Sequence, residues 1–212
     1  MRGQFFYRGR LEYLANDLLA IYERKKGSPV EPPIEADLVA ESVGLDMLYE
    51  EIPEEPGRTI LAEIRPKARL IVVNERRLKF VEEFPGYLNT TIAHELAHWW
   101  LHVDQDALDH AALPDFIQSS APTRPEDGRD KRDEYNADEL MSYLLIPKTL
   151  LLPRAAKLDL QSWHDLYKLR DDFGVTISAM KVRLEKLGLT YVDDYGRFHK
   201  SHQEAGGQSS LF

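Results

Sequence analysis

The sequence predicts an α+β fold that is mostly helical, with a small antiparallel three-stranded sheet and a C-terminal helix-turn-helix-like pair of helices. Apolar residues recur at intervals of three and four positions over several long segments, which is typical of amphipathic helices. Three short runs of β-prone residues between positions 45 and 73 are separated by turns that contain proline, which is typical of strands. A chain of 212 residues is long enough for one domain with a small extension.

Composition and charge exclude several classes of protein. The chain has 27 Lys+Arg against 36 Asp+Glu, a formal net charge of −9, and no cysteine. The absence of cysteine excludes disulfide frameworks, thiol nucleophiles and thiolate metal sites. The acidity argues against tight nucleic-acid binding dominated by phosphate contacts. No apolar run approaches the roughly 18 residues of a membrane helix, so we expect a cytoplasmic protein that does not bind membranes.

The first half of the chain is predicted to contain two helices and the sheet. Apolar residues at helical spacing predict a helix over residues 11–25, which Gly27 ends. The pair Pro32-Pro33 precedes a second, short helix that Gly44 ends. The three strands that follow are predicted over residues 45–52, 59–64 and 69–73.

The second half of the chain is predicted to be helical apart from one long connection. A strong helix is expected over residues 89–102, with Asn89 or Thr90 as its N-cap. The polar stretch 122–133 is typical of a solvated loop, with a lid as the alternative. Another helix follows over residues 134–146. The remaining elements are two helices and a hairpin, predicted over 161–173, 177–187 and 191–198.

The most informative string is His94-Glu95-Leu96-Ala97-His98, an H-E-x-x-H motif inside a predicted helix. At about 100° per residue, His94 and His98 lie one above the other on the polar stripe of an otherwise apolar helix. Two imidazoles placed in this way can share a Zn²⁺ ion. Glu95 lies close enough to act as the proton acceptor and donor of peptide hydrolysis without ligating the metal. The alternative is a solvated helix face that contains two histidines by chance.

A catalytic zinc site of this kind needs a third protein ligand, and His102 shares the polar stripe. Eight residues of helix separate it from His94, which is about 12 Å along the axis. Two nitrogens on one zinc ion can be at most about 4 Å apart. We therefore interpret His102 as a residue of the cleft wall or of substrate contact, or otherwise as a plain surface histidine.

Glu134 is the better candidate for the third ligand. Together with Asp138 it lies along the edge of the apolar stripe of the helix over 134–146, whereas Glu139 is predicted to face away. A carboxylate directed toward a core is costly unless it is paired or bound to a metal, so we predict that Glu134 is a ligand. Asp138 could orient a ligating imidazole through its second nitrogen. The alternative is that these acids only interact with the helix dipole.

These segments resemble the ImmA/IrrE family of metallo-endopeptidases, a gluzincin-like group of zinc proteases. The resemblance covers roughly residues 10–190, and the combination of motifs is far more specific than H-E-x-x-H alone. The residues that carry it are 91–98 with Leu101-His102, 134–147, 173–176 and 183–189.

The resemblance implies a zincin-like minimal metalloprotease that cleaves a helix-turn-helix transcriptional repressor and thereby switches on genes of a mobile element or a stress response. It implies that His94, His98 and Glu134 hold Zn²⁺ and that Glu95 is the catalytic base. The group that stabilises the oxyanion of the reaction is left open. Its candidates are Tyr135, Tyr143, His110 and His164.

We divide the chain into three parts. Residues 1–150 are predicted to form the zincin-like metallopeptidase domain, and residues 151–200 a C-terminal helical extension that resembles a helix-turn-helix. Residues 201–212 contain a short glycine- and serine-rich run and are predicted to form a disordered tail.

A second function class is a transcription-associated DNA-binding or partner-docking module with a structural metal site. It would use residues 161–187 as a helix-turn-helix, with Lys181, Arg183 and Lys186 as phosphate contacts. The acidic charge of the whole chain weakens this alternative. Direct nucleic-acid binding through these two helices is therefore the less favoured hypothesis.

Overall fold

The computed structural model of the chain is α+β, as the sequence predicts. It describes residues 8–57, 59–84, 86–103, 117–120, 131–201 and 204. The helices are α1 (Arg8–Lys26), α2 (Ala36–Ser42), α3 (Leu78–Glu83), α4 (Tyr87–His102), α5 (Lys131–Leu145), α6 (Lys148–Ala155), α7 (Trp163–Phe173) and α8 (Ile177–Lys186). The strands are β1 (Asp46–Glu50), β2 (Ile60–Arg65), β3 (Leu70–Asn74), β4 (Ile117–Ser120), β5 (Tyr191–Val192) and β6 (Phe198–His199).

Each helix and strand predicted from the sequence is present, and α3, α6 and β4 are additional. The helix α3 has only 6 residues, which is less than two turns and too short for a periodic pattern. In α6, Pro153 lies inside the helix and hides its signal. Strand β4 reads Ile-Gln-Ser-Ser, so it lacks the alternation that marks a strand.

The main sheet is mixed and four-stranded, so the predicted three-stranded antiparallel arrangement is wrong in strand number and in one pairing. The strand order is β1-β3-β2-β4. Strand β3 pairs with β2 antiparallel and with β1 parallel, with Leu48 opposite Val72. Three consecutive strands joined by reversals alternate in direction, so the first and third run the same way. Because β3 lies beside β1, their pairing is parallel, and the sequence pattern alone does not reveal this order.

The core lies between the sheet and the helices. Helix α4 contacts α2 and α5 as well as strands β2 and β3. Along β3 the side chains alternate: Ile71 and Val73 belong to the main buried cluster, whereas Val72 packs with Ile52 and Ile60 on the opposite face. The main cluster also includes Leu11 of α1 and reaches α7, α8 and the ribbon β5–β6. These contacts on several sides of α4 fix the position of the helix, and with it the positions of the side chains that α4 carries.

Asn89 has a different role from the predicted helix cap. Helix α4 begins at Tyr87, with Gly86 at the cap position. The side chain of Asn89 instead accepts a hydrogen bond from the backbone nitrogen of Ala36 at 2.8 Å and donates to the carbonyls of Ile34 and Gly174 at 2.9 and 3.0 Å. Asn89 therefore ties the start of α4 to α2 and to the α7–α8 turn.

Glu139 is buried, so the prediction that it faces away from the core is wrong. Its carboxylate is fully buried, accepts a hydrogen bond from the Tyr143 hydroxyl at 2.5 Å and forms an ion pair with Lys186 of α8. A buried carboxylate is tolerated when it is paired and hydrogen-bonded in this way. The partner lies 47 residues away along the chain, which a local pattern does not reveal.

Residues 151–200 contribute to the main core. Leu166 and Phe173 of α7 and Leu184 of α8 are buried in the same cluster as α4 and α5. The domain boundary at residue 150 stays a prediction. The polar loop 122–133 and the tail 201–212 lie mostly outside the described residues. Among the helices that the structure describes, none has the length and apolar character needed to span a bilayer.

Candidate metal centre

Helix α4 places His94 and His98 one above the other, beside α5. They are neighbours on the helix surface because 3.6 residues complete one turn. Their Nε2 atoms are 3.0 Å apart. The side chains are only 17% and 2% exposed, respectively. Two imidazole nitrogens therefore meet at one largely buried position.

Glu134, in the first turn of α5, brings a carboxylate to the same position. Its Oε2 atom lies 3.3 Å from His94 Nε2, and its Oε1 atom lies 3.5 Å from His98 Nε2. One potential ligand atom from each of the three residues lies within 4.8 Å of the others. The three residues predicted as ligands are thus brought together by the packing of α4 on α5. Their role in binding a metal stays a prediction.

The spacing of these atoms is close to that of the ligands of one tetrahedral zinc ion. Zinc binds imidazole nitrogen and carboxylate oxygen at about 2.0–2.2 Å, which places two ligands of a tetrahedron about 3.3–3.6 Å apart. The two Nε2 atoms are 3.0 Å apart, and they lie 3.3 and 3.5 Å from the two different oxygens of the Glu134 carboxylate. Two nitrogens and one oxygen also form the ligand set of many catalytic zinc sites, in which the fourth position is left to water or substrate.

Asp138 fixes the orientation of His94 from the other side of the imidazole ring. Its Oδ1 atom lies 3.0 Å from His94 Nδ1. When Nδ1 donates its proton to this carboxylate, the lone pair of the neutral ring is on Nε2, the atom that faces His98 and Glu134. The contact predicted for Asp138 is therefore present, and it selects the tautomer that a metal requires.

The electrostatics of the centre favour a positive charge. Burial alone would lower the pKa of His94, but hydrogen bonds to Asp138 and Glu134, together with the charges of Asp138 and Glu95, raise it to about 10. Without a metal, both ring nitrogens of His94 therefore carry a proton at neutral pH. A divalent cation competes with the proton on Nε2 for the same position, because only the neutral imidazole is a ligand.

Glu95 lies beside the three predicted ligands but is not part of that group. Its side chain is 0% exposed, and its charge contributes to the raised pKa of His94. Because it immediately follows His94 on α4, it points about 100° around the helix axis. A carboxylate in this position can exchange a proton with water at the centre.

His102 extends the polar stripe of α4 without joining the ligand group. Its ring lies 5.5 Å from the ring of His98, and its Nδ1 atom lies 3.9 Å from Asp133 of α5. Asp133 directly precedes Glu134, so α4 and α5 meet through two successive pairs of polar residues. The sequence did not indicate a role for Asp133, because its contact with His102 depends on how α4 and α5 pack against each other.

The four candidates for the oxyanion donor lie in different surroundings. The hydroxyl of Tyr143 already donates to the buried Glu139, and His164 lies on the surface of α7. Tyr135 follows Glu134 directly and is exposed. His110 lies outside the described residues.

Two of the three predicted phosphate contacts already have partners within the protein. Arg183 is 3% exposed, donates from Nε to the carbonyl of Ile146 at 3.0 Å and lies over the ring of Tyr143. Lys186 pairs with the buried Glu139. Arg183 is thus withdrawn from any DNA backbone, and Lys186 would have to leave its buried partner to reach one. Both residues link α8 to α5 or to the residue that follows it.

Comparison with known families matches residues 40–185 to the model of the IrrE N-terminal-like domain, Peptidase_M78. The match covers more than half of the 212 residues and runs from α2 through α8, so it includes both helices of the candidate metal centre. No curated protein matches the chain. The chain therefore belongs to the M78 peptidase family, defined by its IrrE N-terminal-like domain.

Proposed function

We propose that this protein is a zinc-dependent endopeptidase that hydrolyses a peptide bond in a helix-turn-helix transcriptional repressor and thereby derepresses mobile-element or stress-response genes. The observation that carries the proposal is the convergence of His94, His98 and Glu134 within 4.8 Å, with the buried Glu95 beside them. Membership of a peptidase family supports the type of reaction.

In the proposed mechanism, each side chain of the centre has one task. His94, His98 and Glu134 would hold zinc, which when bound polarises a carbonyl group and acidifies water. Glu95 accepts a proton from the attacking water and delivers it to the departing amine. Asp138 keeps the proton of His94 on Nδ1, so that Nε2 stays free to bind the metal.

Charge supports a DNA-binding protein as the substrate. The chain has a formal net charge of −9, whereas a protein that binds the phosphate backbone carries a basic surface. Opposite charges accelerate the encounter of two proteins and favour correct partners over acidic ones. The resemblance to ImmA/IrrE proteases points to the same class of substrate.

Metal-dependent cleavage tests the proposed function. We expect the zinc-loaded protein to cleave a helix-turn-helix repressor encoded by a neighbouring gene at one or a few bonds. Removal of the metal with a chelator should abolish cleavage, and added Zn²⁺ should restore it, because the proposed mechanism relies on zinc to polarise the carbonyl and to acidify water. Electrophoresis and mass spectrometry of the fragments measure the result.

The control substrate is the same repressor heated to unfold it, which distinguishes recognition of a folded protein from general proteolysis. Cleavage that persists in the metal-free protein would contradict the proposed mechanism. Stoichiometric metal without cleavage of any neighbouring repressor would contradict the proposed substrate.

Removal of the Asp138 carboxylate should weaken metal binding. We expect Asp138→Ala to raise the dissociation constant for zinc by about 10- to 100-fold, the usual effect of losing the partner that orients a ligating histidine. Folding should be preserved because the Asp138 side chain is 62% exposed. Competition with a chromophoric chelator measures the affinity.

Asp133→Ala is the matched control for this variant, since Asp133 lies on the same helix but faces His102 at 3.9 Å. It should bind zinc with wild-type affinity. Equal affinities of the two variants would show that the hydrogen bond between Asp138 and His94 does not contribute to metal binding.

A further inference from the structure

A groove lies at the beginning of α4, on a different face of the helix from the metal centre. Its volume is about 390 Å³, and its walls come from the segment before α2, from β1, from the segment before α4 and from the α7–α8 turn. Ile92 lines the groove, and it is two residues from His94. At about 100° per residue it lies about 200° around the helix axis from that ligand. The groove is therefore separated from the metal centre by the body of α4.

Aromatic side chains make one wall of this groove, and they remain exposed. Phe84 and Tyr49 line it and are 49% and 47% exposed. Phe80, which is 45% exposed, has its ring 5.1 Å from Phe84 and 5.4 Å from Tyr87. Contiguous exposed apolar surface beside a cavity is typical of a protein-binding site.

Part of the rim of the groove is acidic. Glu35 and Asp37 line it and are exposed at the start of α2. Within the part of the chain that the structure describes, no ion pair involves either carboxylate. Their charges also act on Tyr22 of α1. Burial is the main cause of the raised pKa of Tyr22, and the charges of Glu35 and Asp37 raise this pKa further. The groove thus combines an apolar wall with two carboxylates that form no ion pair among the described residues.

We infer that this groove binds a segment of the protein substrate in which arginine or lysine side chains alternate with aliphatic or aromatic ones. The apolar side chains of such a segment would pack on Phe84 and Tyr49, while its cations would neutralise Glu35 and Asp37. The inference rests on the proposed function, since it makes the groove a second recognition site for the same substrate. A repressor that binds DNA carries clustered lysine and arginine side chains, which supply the cations of such a segment.

Charge argues against a second copy of the chain as the occupant. Each copy has a formal net charge of −9, so two acidic surfaces would repel one another at this rim. A basic segment gains from the same field. Charge complementarity therefore selects a cationic partner, and the exposed aromatic rings select one that also presents apolar side chains.

Binding of two labelled peptides to the zinc-loaded Glu95→Gln protein tests this inference. One peptide alternates arginine with leucine and phenylalanine, and the other has glutamate in place of each arginine. We expect only the arginine peptide to bind in fluorescence anisotropy. The double variant Glu35→Gln/Asp37→Asn should weaken its binding by about fivefold or more, because two ion pairs are lost. Phe84→Ala should weaken it by about tenfold through lost apolar contact.

Glu41→Gln is the matched control, because Glu41 is an exposed acid of the same helix α2 and does not line the groove. It should bind the arginine peptide as the wild type does, and thermal unfolding should show that each variant is folded. Equal affinity for both peptides, or no loss of affinity in the double variant, would overturn the inference. So would an affinity for the arginine peptide weaker than about 1 mM.

Cleavage kinetics separate this inference from the proposed function. In the protein with Glu95 intact, the double variant should raise KM for the repressor and leave kcat nearly unchanged. Repressor cleavage with an unaltered KM would overturn the role of the groove and leave the proposed function standing. Groove-dependent peptide binding without any cleavage would contradict the proposed function but support the groove as a site for basic segments. A wild-type dimer that Phe84→Ala dissociates would show a self-interface and overturn the inference.

Discussion

Replacing Glu95 with glutamine is expected to leave the metal bound and to reduce peptide hydrolysis by about 10²- to 10⁴-fold. Glutamine has nearly the shape of glutamate, so the buried position of residue 95 is preserved. It does not accept a proton at neutral pH, so water is no longer activated and the amine no longer receives its proton. Metal content by atomic emission and kcat/KM on the repressor measure the two quantities.

Glu134→Gln provides the contrast, because it changes another carboxylate of the same centre. Glu134 lies 3.3 and 3.5 Å from the two imidazole nitrogens, so its substitution should lower metal occupancy and reduce activity for that reason. Loss of metal in Glu95→Gln would instead make Glu95 a ligand. Unchanged cleavage in Glu95→Gln would remove Glu95 from the mechanism. The two variants together assign one carboxylate to binding and the other to chemistry.

The sequence predicted the arrangement of His94 and His98 well, because residues four apart on one helix are neighbours whatever the rest of the fold does. Glu134 was harder to place, since its approach depends on how α5 packs against α4. We placed it beside the histidines because an acid at the edge of an apolar stripe needs a compensating partner, and its carboxylate does lie there, while its role as a ligand stays a prediction. The contact of Asp138 with His94 depends on the same packing.

The predictions that are wrong concern partners distant in sequence. Glu139 is buried because Lys186, 47 residues away, compensates its charge, whereas the local pattern placed it on the solvent side. Asn89 satisfies backbone groups of α2 and of the α7–α8 turn instead of capping its own helix. Hydropathy within a window records how often a residue type is buried, whereas these positions are decided by contacts between separate elements.

The strand order illustrates the same limit for the sheet. Each of the three predicted strands is present, because alternation and turn residues are local signals. The insertion of β3 between β1 and β2 depends on packing against α4, which touches β2 and β3. The groove beside β1 likewise results from packing, since its walls come from segments more than 100 residues apart, from Pro33 to Gly174.

Replacing Gly86 with alanine is expected to destabilise the protein strongly. Gly86 has φ +75°, and a Cβ atom at this position would overlap the backbone of Val175. The left-handed conformation costs an alanine about 1–2 kcal/mol, and relieving the overlap costs about 1–3 kcal/mol more. For a chain of this size, each kcal/mol lowers the Tm by about 2–4 °C. Thermal unfolding followed by circular dichroism measures the change.

Gly27→Ala is the control for the backbone conformation, because Gly27 has φ +73° and open space around its Cβ position. Its free energy of unfolding should fall only by the cost of the left-handed conformation for alanine, about 1–2 kcal/mol. Equal losses in the two variants would show that the α7–α8 turn moves away from Gly86 without cost. A larger loss in a single transition would show that this turn and α4 unfold together. The predicted extension 151–200 would then be part of the structure that supports the metal centre, since Gly86 immediately precedes α4.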